Sequence, residues 1–252
     1  MVKESKINKL IQKIPKGLVL LSSWLASEGY PYELQQRYRK SGWLASIGKG
    51  AMIRNGDRLV LSGALAALQT QAGMNIHVGG RSALGLLGLA HYLQVNAGET
   101  ILFSEGQLSL PSWLLKNQWD TKPRIFRVSL FQQETVELVD YQTGELNMKI
   151  SGTARAMMEC LSLCPNQFPL MEAFELMEGL ATLRPAQAQE LLEQCKFIKV
   201  KRLFLHFAEK AGHNWLKYID TSKIDLGSGN RSLAESGVLA PRYHLILPKE
   251  LV

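Results

Sequence analysis

Punctuation constrains the first 72 residues more than any other feature of the chain. Pro15, Gly29, Pro31, Ser41-Gly42 and Gly48-Lys49-Gly50 cut them into pieces that fit only short elements. Residues 3–14 place Ile7, Leu10, Ile11 and Ile14 at helical spacing and stop before Pro15. "SWLASE" reads as a second short helix, capped by Ser22 or Ser23 and halted at Gly29. Pro31 stands at a natural first helical position, which predicts a third helix over about 31–40. "WLASI" and "AMIR" flank "GKG" as the strands of a hairpin. "SGALAALQTQAG" follows as a helix capped by Ser62 and closed by Gly73.

Three helices followed by a hairpin is the element order of a winged helix-turn-helix, in which the third helix enters the major groove. On that helix Pro31, Leu34 and Tyr38 share an inward face. Tyr32, Glu33, Gln36, Arg37 and Lys40 lie opposite, with Gln35 and Arg39 on the flanks. Gln pairs with adenine, and Arg with guanine or phosphate. Tyr32, Gln35 and Gln36 are therefore expected near base edges, and Arg37, Arg39 and Lys40 on phosphates. Lys49 at the hairpin tip and Arg54 on the returning strand complete the expected double-stranded DNA contacts.

Charge supports this reading. Residues 1–60 hold eleven Lys or Arg against four Asp or Glu, so the net charge of +7 sits entirely there. The remaining residues balance to zero. Such an asymmetry points to a polyanionic partner for one module. With 46% apolar and 20% charged residues the chain has an ordinary globular composition. It contains no apolar run long enough to span a membrane, and "GLVLL" is too short for a secretory signal, so a cytoplasmic protein is expected. Cys160, Cys164 and Cys195 fall within apolar helical patterns and read as buried free thiols.

The second domain, expected over 73–252, is mixed. "MNIHVGG" and "TILFS" read as strands around a helix, "RSALGLLGLAHYL", and "RIFRVSLF" alternates as a strand. From Ser151, which offers a cap, the pattern turns helical through "GTARAMMECLSLC", "LMEAFELMEGLA", a segment opened by Pro185, and "IKVKRLFLHFAEKAG". A strand, "RYHLIL", comes last. The fold class is thus mixed α/β and helix-rich.

Chemistry is sparse in this part. Glu172, Glu175 and Glu178 read as a solvated helix face, and the five histidines form no metal-binding spacing. "HVGGRSALGLLG" lacks the spacing of a dinucleotide or P-loop motif. "LGSGNR", residues 226–231, is either a tight loop or an anion-binding turn. No catalytic residue, metal or cofactor is expected. Arg155, Lys196, Lys199, Lys201 and Arg202 recur, most of them off the apolar stripe and so expected at the surface.

"ISGTARAMMECL", "FELMEGLATLRP", "IKVKRLFLHFAEKAGHNWLKYID" and "LGSGNRSLAESGVLAPRYHLILP", joined to the N-terminal unit, resemble the AbiEi family of antitoxins of the type IV toxin–antitoxin systems. The resemblance implies a repressor that binds inverted repeats upstream of its own operon. It also implies that the C-terminal domain counteracts a nucleotidyltransferase-like toxin without requiring a stable complex. The family's C-terminal basic surface would map onto Arg155, Lys199, Lys201, Arg202 and Arg231. Two other classes remain open: a ligand-responsive winged-helix regulator, and a nucleic-acid enzyme, which would need an acidic or metal site.

Overall fold

The computed structural model describes residues 5–89, 98–104, 106 and 109–252. Its first unit begins with α1 (Lys6–Lys13), where the Ser5 hydroxyl accepts from the Asn8 amide at 3.3 Å. Then come β1 (Leu20–Leu21), α2 (Ser22–Ser27), α3 (Tyr32–Lys40), β2 (Leu44–Gly48) and β3 (Ala51–Arg54). The first helix stays within the expected 3–14, whose residues 3 and 4 lie outside the described ones. α2 springs directly from β1, so neither Ser22 nor Ser23 caps it through a side chain. The hairpin forms as expected, with Gly50 at φ +78°, and β1 joins it in a sheet of order β1-β3-β2. Ile7, Leu10, Ile14, Leu20, Leu25, Tyr38, Leu44 and Met52 close a small core between helices and sheet.

α4 (Leu61–Ala72) ends at Gly73, at φ +62°, as its sequence predicts. Its start differs: Ser62 lies inside the helix, and the Asp120 carboxylate accepts from the Leu61 amide at 2.8 Å. α4 is buried almost all round, the pattern of an interior helix. A Cβ at its Gly63 would lie 2.0 Å from the Gly17 carbonyl oxygen, so only glycine permits that approach. Ala64–Leu68 join Val19, Leu21 and Ala51 of the first unit in the larger core. Through α4 the two parts of the chain share one apolar interior.

The larger part follows with β4 (Ile76–Val78), α5 (Gly80–Leu86), β5 (Glu99–Ser104), α6 (Ser112–Lys116), β6 (Lys122–Arg127), β7 (Leu138–Thr143) and β8 (Leu146–Ser151). The strands form one mixed sheet of order β6-β5-β4-β8-β7. The helix expected from "RSALGLLGLAHYL" stops at Leu86, because Gly88 turns left-handed at φ +76°; its positions 90–93 lie outside the described residues. Beyond the sheet come α7 (Thr153–Leu163), α8 (Leu170–Glu178), α9 (Pro185–Gln194) and α10 (Ile198–Lys210). A small sheet of β9 (Arg231–Ser232), β10 (Val238–Ala240) and β11 (Leu245–Leu247) follows, in the order β10-β11-β9. The chain is therefore mixed α/β and helix-rich, as its pattern predicts.

Ser151 is not the cap of α7. It ends β8, and the Glu137 carboxylate caps the helix instead, accepting from the Ala154 and Arg155 amides at 3.2 and 2.5 Å. Burial pushes the Glu137 carboxyl up to about 7 despite those two bonds. The apolar stripe of α10 is buried as expected, but so is every other side chain from Val200 to Ala208.

Candidate nucleic-acid interface

α3 divides its side chains sharply. Tyr32, Glu33, Gln36, Arg37, Arg39 and Lys40 are exposed, while Leu34, Gln35 and Tyr38 turn toward the small core. Tyr32 is 61% exposed. Lys49 stands exposed at the hairpin tip, between Gly48 and Gly50. These residues offer the mixture of flat polar groups and long cations that reads bases and neutralises phosphates.

Two expected contacts are already engaged within the fold. Gln35 is buried, and its amide nitrogen donates to the carbonyls of Ser22 at 2.9 Å and Tyr30 at 2.7 Å. It fastens α3 to the start of α2 and cannot approach a base. Gln35→Ala removes both bonds and is expected to cost roughly 1–3 kcal/mol of stability. Its measurable effect should be a lower melting temperature with DNA selectivity unchanged in the folded fraction. Arg54 is similarly occupied: its guanidinium donates to the carbonyls of Ile11 and Ile14, at 2.8 and 2.5 Å, and lies 3.9 Å from Asp57. It holds the end of α1 against the hairpin.

The second basic patch is dispersed by the fold. Arg155 and Arg202 are 1% exposed and Lys201 4%, because the helices that carry them lie in the interior. Arg202 donates to the carbonyls of Leu226, Gly229 and His244, at 2.7, 2.6 and 3.3 Å. It thereby pins "LGSGNR" as a tight loop. Lys199 donates to the Ser162 and Cys164 carbonyls at the C-terminal end of α7, at 2.9 and 2.5 Å. Of the five residues only Arg231 is exposed.

What the sequence reading missed is a buried polar cluster. Glu159 accepts from His77 Nε2 at 2.9 Å, Gly80 N at 2.9 Å, Ser151 Oγ at 2.8 Å and Arg155 Nε at 3.0 Å. Burial alone would raise the Glu159 carboxyl; His77, Arg155 and the Gly80 amide outweigh it and hold the group below its ordinary value. Burial likewise holds His77 low, against the pull of Glu159. A carboxylate only accepts, so the proton of a neutral His77 sits on Nε2, and the buried Nδ1 is its bare acceptor. The Arg155–Glu159 spacing of four on one helix was the available signal. Nothing pointed to His77, 82 residues away from Glu159.

Elsewhere a cavity of about 300 Å³ is lined by Glu137, Thr153, Thr182, Arg184, Gln187 and apolar residues, with Glu137 already committed to α7. Glu172 is not a plain surface carboxylate, since Arg81 donates to it at 2.8 Å. All three cysteines are buried free thiols. Among the described residues no cluster of His, Cys, Asp or Glu could hold a metal ion. No described helix is long and apolar enough to cross a membrane.

A small helical unit with an exposed basic helix is thus joined through a shared core to a larger mixed α/β part. Residues 3–95 match the family model described as the N-terminal domain of the AbiEi antitoxin, a transcriptional regulator. Residues 97–248 match the model of the AbiEi antitoxin, a transcriptional regulator of the type IV toxin–antitoxin system. The chain belongs to the AbiEi family. Its role is that of a regulatory antitoxin, and this is not a known enzyme family. Among solved structures it is similar to the RV2827C protein from Mycobacterium tuberculosis, at 16% identity and a TM-score of 0.62. That match covers 95% of this chain and 89% of the other, and at this identity it speaks for the fold alone. No protein of curated function matches the sequence.

Proposed function

We propose that this antitoxin represses its own operon, reading inverted repeats through a winged helix-turn-helix within residues 1–72. The observation that carries the reading is the division of α3. Tyr32, Gln36, Arg37, Arg39 and Lys40 stand exposed on a helix whose other face is locked by Gln35 and Tyr38. The order α1-β1-α2-α3-β2-β3, with β1 completing the sheet beside β3, supports it. In this account α3 lies in the major groove, and Lys49 reaches phosphate from the wing. Residues 73–252 form the antitoxin domain and counteract a nucleotidyltransferase-like toxin.

A reporter fused to the operon's upstream region tests the repressor half. The wild-type chain should silence it, and a Tyr32→Ala, Gln36→Ala variant of unchanged stability should release it. An equally active reporter with and without the wild-type chain would refute autorepression. For the antitoxin half, growth is followed while a neighbouring nucleotidyltransferase-like toxin is expressed. The same variant should still rescue growth, since its second domain is intact. Failure of the wild type to rescue would remove that toxin as the partner.

A further inference from the structure

The wing does not stand alone. Asn117 Nδ2 donates to the Ile47 carbonyl at 2.8 Å and to the Trp113 carbonyl at 2.7 Å, so it ties the end of α6 to β2. Trp113 lies beneath Gly48: a Cβ on that glycine, at φ +147°, would sit 2.7 Å from Trp113 Cβ. Trp113 is 3% exposed, and its ring meets Trp119 edge-on at a centroid distance of 6.2 Å. α6 is therefore seated against the outer edge of the wing, within one residue of the Lys49 tip.

Trp113 and Asn117 stand four apart and share the helical face that meets the wing. Lys116, three residues on from Trp113, lies beside that face and is exposed. The acidic side chain nearest in sequence, Asp120, is occupied by the Leu61 and Thr121 amides at 2.8 and 3.1 Å. We propose that the DNA interface continues past the wing onto the larger part of the chain, where Lys116 neutralises a backbone phosphate next to the one met by Lys49. The inference rests on the DNA-binding reading above. It assigns the larger part a direct share in holding the operator and gives the clasp through Asn117 a purpose, which is to fix where Lys116 stands relative to the wing.

The test is the slope of log affinity against log salt for the full chain on its upstream duplex. The wild type, Lys49→Ala, Lys116→Ala and, as a distant exposed control, Lys217→Ala are compared. Each lost phosphate contact flattens the slope by about 0.9. Lys49→Ala and Lys116→Ala should each do so, their double variant by about twice as much, and Lys217→Ala should match the wild type. A flattened Lys49→Ala beside an unchanged Lys116→Ala would overturn the inference and leave the winged-helix reading standing. No salt-dependent binding by the wild type would overturn both.

Discussion

Replacing Arg155 with methionine is expected to lower stability by about 3–5 kcal/mol, because it removes the cation from a carboxylate that stays buried. For a chain of this size that is a fall in melting temperature on the order of 10 °C. Glu159 would keep His77, Ser151 and the Gly80 amide, but no full positive charge within hydrogen-bonding distance. Arg155 also donates to the Glu134 and Val136 carbonyls, at 2.8 and 2.7 Å, and stacks on Phe131, so those partners lose out too. Glu159→Gln errs in the opposite sense, leaving the guanidinium without its counter-charge. The double Arg155→Met, Glu159→Met variant should cost less than the two single changes added together, as an apolar replacement of a buried pair often does. Acid adds a second signature. The Glu159 carboxyl titrates in the folded state below its ordinary value of 4.5, so the folded chain holds fewer protons there than the unfolded one. Its contribution is complete above about pH 4.5 and is lost as pH falls through the folded-state value. Wild-type stability should therefore drop more steeply in acid than that of Glu159→Gln. A loss under about 1 kcal/mol for Arg155→Met would contradict this account.

Removing the positive charges of α3 and the wing should have the largest effect on binding. Arg37, Arg39, Lys40 and Lys49 are all exposed, whereas Arg54 is half-buried and already hydrogen-bonded to the end of α1. Their joint replacement by alanine should flatten the salt dependence of DNA binding by between about three and four, at about 0.9 per phosphate. The loss should be nearly uniform across DNA sequences, since phosphate contacts position the protein without reading bases. Gln36→Ala should behave differently, narrowing the preference for the operator by roughly 1–3 kcal/mol while leaving the salt slope alone. Both variants should melt close to the wild type, because neither touches the small core. An unchanged slope in the charge variant would mean that α3 does not lie against the backbone.

The contrast between Gln35 and Gln36 shows how much of this site the sequence carries. Helical spacing put Pro31, Leu34 and Tyr38 inside and Gln36, Arg37 and Lys40 outside, and the fold agrees for all but Pro31, which is exposed. It left Gln35 on the flank, because spacing cannot tell a flank that faces water from one that meets the carbonyls of Ser22 and Tyr30. Arg54 failed for the same reason: its partners, the last carbonyls of α1, lie 40 and 43 residues earlier in the chain. In α10, Lys201 and Arg202 were expected outside because periodicity marks the greasier side of a helix, whereas the small sheet and the loop at 226–229 cover its other side. The β7–β8 hairpin was missed although Thr143-Gly144 marks its turn, with Gly144 at φ +58°. Local signals such as Pro31, Gly50 and Gly73 were legible because their physics lies in the backbone of one residue. The Glu159 cluster was not, since its partners come from β4, α5, β8 and α7.

Fluorescence anisotropy of the full chain on its own upstream duplex, against a scrambled duplex of the same length and salt, tests the central claim most directly. A repressor that reads bases through Tyr32 and Gln36 should prefer its own DNA by roughly a thousandfold or more. Equal, weak binding to both duplexes would contradict the account and leave the basic first quarter of the chain to be explained by another polyanion.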